Sequence, residues 1–243
     1  MDATEIVVTA VAVLLASCTL STVGFGFALL AVPLVSLVAP AEDAVVLAVT
    51  LALVTTVVQA THERAHRDGT AATRMLVGAA VGAPLGLAVL AVFTSRQLQF
   101  ALVGVIAAFL VVSVRGWRLQ HDSPAIEVGA GFASGVLNTA VATNGPPLVM
   151  ALHARHLPAP SFRSTLAIVF AVSNAIAAAL FAVSGRYDRE VLELVGVSVV
   201  PMVAGYLAGT VLRHRFGVEG FRRLVLGLLG VTGVVTLVAA ISG

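Results

Sequence analysis

Two short stretches gather small and hydrogen-bonding residues inside otherwise apolar sequence. Ser21, Thr22, Gly24 and Gly26 lie in the first half of the chain, and Asn138, Thr143, Asn144, Gly145, Pro146 and Pro147 in the second. None of these side chains ionises near neutral pH, so the chemistry on offer is hydrogen bonding by hydroxyl, amide and backbone N–H groups. Glycine weakens helix, and adjacent prolines remove backbone donors and push the preceding residue out of the α region. Each stretch therefore ends one helix and begins another. A helix start carries free N–H groups and the positive end of the macrodipole, which is how helix N-termini hold phosphate, sulfate or carboxylate. Two such starts facing each other would form an anion site without a buried arginine. Asn174, deep in a later apolar run, adds a further polar group.

The elements around these breaks belong to a membrane. Apolar residues make up 59% of the 243 and charged ones 11%, against about 25% charged in a soluble domain. Crossing a bilayer takes about 20 residues of helix. Runs of that order are read at 5–22, 42–60, 74–93, 97–114, 126–142, 161–184, 190–212 and 221–241. Two pieces that follow the breaks, 28–38 and 147–157, are short, and would reach only about 16 Å as helix.

The arginines indicate how the chain threads, because cytoplasmic loops carry excess Lys and Arg. All fourteen basic residues are arginines. If each broken segment made one continuous crossing, the two faces would share them seven to seven. If each break is the tip of a hairpin that returns to its starting side, the division is eleven to three, with only Arg96, Arg186 and Arg189 on the minority face. The expected fold is an all-α integral membrane protein with two re-entrant helical hairpins and six crossings, and both termini outside the cytoplasm. Repeat 1 is residues 1–118, with a hairpin at 5–38 and crossings at 42–60, 74–93 and 97–114. Repeat 2 is residues 122–243, with a hairpin at 126–157 and crossings at 161–184, 190–212 and 221–241.

An offset of 123 places Gly82 on Gly205, Gly86 on Gly209 and Gly104 on Gly227, and one of 119 places Gly26 on Gly145. A hairpin plus three crossings is an odd number of crossings, so the second copy is inverted, the plan of many secondary transporters.

Several functions are disfavoured. Carboxylates within the membrane commonly mark cation sites and proton relays, whereas Glu42, Asp43, Glu127, Asp188, Glu190 and Glu193 fall at or near span ends. An intramembrane hydrolase would need a nucleophile with a base in reach. Ser134 with His153 is the nearest pair, and no acidic residue accompanies it at depth. His153 and His156 flank Arg155 and read as an interfacial anchor or a pH-sensing group; Arg115, Trp117 and Arg118 read as another anchor. Asp2 and Glu5 in place of a basic n-region argue against a cleaved signal peptide. Cys18 is alone, so no internal disulfide forms. No cofactor, metal or nucleic-acid partner is expected; the partners are a small anion and the lipid bilayer.

Gly24-Phe25-Gly26-Phe27 followed by Pro33, and Gly131 through Gly135 followed by Asn144-Gly145-Pro146-Pro147, resemble the TauE/SafE family of sulfite exporters and related anion permeases. The resemblance spans essentially the whole chain. It implies a bacterial inner-membrane protein that exports sulfite, sulfoacetate or another sulfur-containing anion. Phe25 and Phe27 stand where the family pattern has further glycines, which implies a more apolar pocket. On this reading Ser21, Thr22, Gly24, Gly26, Asn138, Thr143, Asn144, Gly145, Pro146 and Asn174 form the substrate site of an alternating-access exporter. An anion channel is the alternative.

Overall fold

The computed structural model describes residues 2–24, 26–115 and 123–242. Among them every regular element is helical: α1 (Ala3–Val23), α2 (Phe27–Val35), α3 (Ala41–His62), a 3-10 turn at Arg64–His66, α4 (Gly69–Val92), α5 (Ser95–Arg115), α6 (Pro124–Val141), α7 (Gly145–Ala154), α8 (Ala159–Val183) and α9 (Arg189–Ser242). Five segments are long and apolar enough to cross a membrane: Ala3–Thr22, Ala41–His62, Gly69–Val92, Ala159–Val183 and Arg189–Leu212. This is a multi-pass helical membrane protein.

Local chemistry sets the helix starts. Asp2 and Glu5 form a reciprocal capping box on α1, each side chain accepting the other's backbone N–H at 2.8 Å. Asp68 caps α4 through the Ala71 N–H, and Ser123 caps α6 through the Ile126 N–H with Pro124 in the first turn.

Glycine determines which helices come closest. Along α4, Gly78, Gly82 and Gly86 are buried while Val77, Val81 and Leu85 on the other face are exposed. The glycine face lies directly on α6, so closely that a Cβ on Gly78 would strike Val128 O and one on Gly135 would strike Ala79 O. Small residues allow such contact between membrane helices, where packing replaces the hydrophobic effect as the driving force. Thr139 fastens the seam by donating to Ala83 O at 2.7 Å. A second seam joins α1 to α9. There Gly205 meets Leu14 O, Gly209 meets Cys18 O, and Ser17 donates to Met202 O at 2.7 Å.

The short helices bring the chain back toward where their partners began. Arg155, just after α7, pairs with Glu127 in the first turn of α6 at 2.5 Å and with Asp68 at 2.7 Å. Arg74 reaches the other oxygen of Glu127 at 3.0 Å. Glu127 is only 1% exposed, so its charge is matched by two guanidinium groups instead of water. It does sit at a helix start, but buried; the pattern at span ends did not reveal that burial. At the other end, Ala39 and Pro40 after α2 share a cleft with Glu5 at the start of α1.

The expected crossings 190–212 and 221–241 are joined in one continuous helix, α9. Drawn straight, its 54 residues would extend about 80 Å. Its ends nevertheless meet one region of the bundle. Arg96 donates to Ile241 O at 3.5 Å, its neighbour Ser95 bonds to Glu42, and Asp43 beside Glu42 lines a cleft with Arg189 and Glu190. The axis of α9 therefore bends between its two ends. Trp117 and Arg118 lie outside the described residues, as does the side chain of Arg115.

Candidate functional site

At the first break, α1 ends on Gly24, whose φ of 94° is left-handed and whose N–H closes on Leu20 O at 2.7 Å. Gly26 follows at φ 96° and stands immediately before α2. Left-handed backbone costs an L-residue about 1–2 kcal/mol, which explains glycine at both positions. No side chain caps α2. The N–H groups of Phe27, Ala28 and Leu29 therefore have no partner within their own helix.

The second break uses other means. Ala142 adopts φ 57° without being glycine, and its N–H closes on Asn138 O at 2.9 Å. Ser134 donates to Asn144 O at 3.0 Å, tying the break to the body of α6. α7 then starts at Gly145, so Pro146 and Pro147 occupy the next two positions of its first turn. Prolines carry no N–H. α2 therefore starts with its first-turn N–H groups intact, and α7 lacks two of its own.

Both breaks line one cavity of about 30 Å³, together with α3 and α8. That volume accommodates a water or two. From the first break come Gly26 and the opening turn of α2; from the second come Ala142, Thr143, Asn144 and Gly145. A hydrogen-bonded chain links three elements across it. Asn144 Nδ2 donates to Asn174 Oδ1 at 3.3 Å, Asn174 Nδ2 donates to Thr56 Oγ1 at 3.4 Å, and Thr56 donates to Ala52 O at 2.6 Å. Phe27 and Phe170 supply aromatic wall, each 2% exposed.

Of the residues expected at the site, Gly26, Thr143, Asn144, Gly145 and Asn174 line the cavity and the others do not. Thr22 donates to Gly209 O at 3.1 Å and Ser21 to Cys18 O at 3.1 Å, because this face of α1 packs on α9. Gly24 lies toward Gln59, whose Nε2 would be 3.7 Å from an added Cβ. Asn138 turns to α8 and donates to Ser173 O at 3.3 Å. Pro146 shapes the start of α7 without lining the space. Thr56 went unnoticed in sequence; its signal was a polar pair with Gln59, one turn apart on a single helix face. His153 is exposed and sets its ring edge-on to Phe162 at 4.8 Å. Among the described residues, no group of His, Cys, Asp and Glu is arranged to hold a metal.

The model of the family described as Sulfite exporter TauE/SafE matches residues 9–236. The chain belongs to the TauE/SafE family. This is a family of transporters, and the match covers both breaks and all of the cavity wall. No curated protein and no solved structure matched the chain.

Proposed function

We propose that this TauE/SafE protein is a secondary transporter that exports a small anion, sulfite or an organosulfonate such as sulfoacetate, by alternating access around the cavity between the two breaks. The observation that carries this reading is the convergence of two helix interruptions, far apart in sequence, on one polar cavity. Irregular backbone at membrane depth is tolerated where it lines such a space. In the bilayer, α1–α2 and α6–α7 act as re-entrant hairpins entering from opposite faces. Support comes from Arg155 returning to Glu127, and from Ala39 and Pro40 returning to Glu5.

The glycine seams support an inverted repeat. Gly82 and Gly86 of α4 meet Phe132 O and Val136 O of α6, while Gly205 and Gly209 of α9 meet Leu14 O and Cys18 O of α1. The α9 glycines lie 123 positions after those of α4, and the α6 carbonyls 118 after those of α1. Each repeat thus clasps the hairpin of the other. This exchange suits a carrier in which one half rocks against the other. A cavity large enough only for water favours a carrier over an open channel, since an anion enters only when the surrounding helices part.

The test is flux of sulfite, sulfoacetate, sulfate and chloride into proteoliposomes under imposed proton and sodium gradients. Saturable sulfite or sulfonate flux is expected, reduced in Asn144→Ala with the protein still folded. Ohmic, non-saturating chloride current would point to a channel. Cysteine-accessibility mapping that placed the segments before and after either break on opposite faces would exclude the hairpins.

A further inference from the structure

We infer that Arg163 is the first residue to hold the arriving oxyanion, and that its ion pair with Glu63 is the gate to the cavity on the face of the bilayer where α3 ends. This rests on the exporter reading above and adds its point of loading. The helices α3 and α8 pair in antiparallel order, Glu63 with Arg163, Thr56 with Asn174 and Thr50 with Tyr187. The middle contact is in the cavity wall. Arg163 precedes the cavity residues Phe170 and Asn174 by seven and eleven positions, which are close to two and three whole turns, so the three share one face of α8. Glu63 follows Thr56 and Gln59 by seven and four positions, so these three share one face of α3. Between cavity and helix end, buried Gln59 turns its amide toward Gly24 of the first break. The ion pair therefore bridges the two cavity-lining faces, about 10 Å along α3 from Thr56.

Arg163 grips Glu63 through Nε and Nη2, at 3.2 and 2.6 Å from Oε1. A sulfite or sulfonate offers a guanidinium the same charged oxygens that a carboxylate does, so the anion and Glu63 compete for one partner. The bonds leave the Nη1 edge out, and an oxyanion oxygen can engage it before Glu63 lets go. Exchange is feasible because the two side chains are 23% and 27% exposed, and an ion pair partly in contact with water is weak. Arg74 and Arg155 are different: they hold Glu127, which is 1% exposed, and exchange there would strand a buried charge. Once the anion holds Arg163, Glu63 is released and the route past Gln59 to Thr56 opens.

The experiment measures uptake of labelled sulfite and sulfoacetate into inside-out membrane vesicles carrying the full chain, with vesicles lacking the protein as leak control. The arginine distribution puts the Glu63 end outermost in such vesicles. Glu63→Gln frees Arg163 of its competitor, and KM is expected to fall about threefold. Arg163→Gln removes the holding group, and KM is expected to rise about tenfold. A pair that only braced the fold would move both variants in the same direction. In a Cys18→Ser background, Gln59→Cys is expected to react faster with an impermeant thiosulfonate when Glu63→Gln is added. Should a glutamine variant not fold, Glu63→Asp and Arg163→Lys carry the same opposite signs at smaller size. KM shifts of one sign, no shift, or an unchanged labelling rate overturn the inference and leave the exporter reading standing. Absence of protein-dependent flux of either anion in the unsubstituted chain overturns the exporter reading, and the inference with it.

Discussion

The two breaks do the same geometric job with opposite materials. The first has glycine at both left-handed positions and presents the cavity with backbone donors at the start of α2. The second tolerates Ala142 at φ 57°, loses two first-turn donors to proline, and presents the side chain of Asn144 instead. Their bases differ as well. The α6–α7 pair is clamped by Glu127 between Arg74 and Arg155, whereas Ser36 after α2 makes neutral bonds, donating to Pro33 O at 3.0 Å and accepting from Gln99 Nε2 at 3.2 Å. One helix pair is therefore fixed by charge and proline, and the other owes its shape to conformational freedom. The contrast makes α1–α2 the more compliant of the two helix pairs.

The sharpest way to break the comparison is at the bases. Glu127→Ala removes the shared partner of two part-exposed guanidinium groups, of which Arg155 keeps Asp68, and is expected to cost about 2–3 kcal/mol, while Ser36→Ala costs about 1 kcal/mol. Thermal or denaturant unfolding in detergent measures both, and equal losses would erase the distinction. Next come the seams. Gly135→Ala pushes a methyl group onto the backbone at Ala79 and should destabilise by about 1–3 kcal/mol. Gly129→Ala on the same helix, where an added Cβ meets nothing within 4 Å, should be neutral or slightly stabilising.

At the left-handed positions a smaller effect is expected, and the two breaks should differ. Gly26→Ala has space, its nearest neighbour being Thr19 Cγ2 at 3.6 Å, so its cost of about 1–2 kcal/mol is conformational. Ala142→Gly relieves strain while loosening the unfolded chain, and should change stability by less than about 1 kcal/mol. Asn174→Ala should cost about 1 kcal/mol of stability, because Asn144 and Thr56 each lose one long hydrogen bond. Anion flux should nonetheless fall about tenfold or more. Unchanged flux would show that the amide chain only packs the helices.

Much of this architecture could be read before any coordinates. The break residues were plain because glycine and proline act through their own backbones, and the helix bounds fall within a few residues of the apolar runs. The arginine distribution suggested chain reversals; in the fold Arg155 pairs with Glu127, and Ala39 and Glu5 line one cleft. The continuity of α9 was not legible: His214 and Arg215 with Arg222 and Arg223 read as a polar gap, yet arginine and histidine are acceptable helix residues. Nor was the burial of Glu127, since its partners Arg74 and Arg155 are distant in sequence.

That this is a membrane protein, where its helices break, and that the breaks carry hydrogen-bond donors without charge were all legible in the order of residues. Those properties follow from composition and from the backbone chemistry of single residues. Which polar side chains share a space depends instead on how the helices pack. In a lipid-facing helix both the buried and exposed faces are apolar, so periodicity does not reveal how each helix is turned about its axis. The glycine seams set that rotation by allowing α4 onto α6 and α9 onto α1 along one face only. They turn Thr22 toward α9 and Asn138 toward α8, leaving Thr56, Asn144 and Asn174 to meet at the cavity.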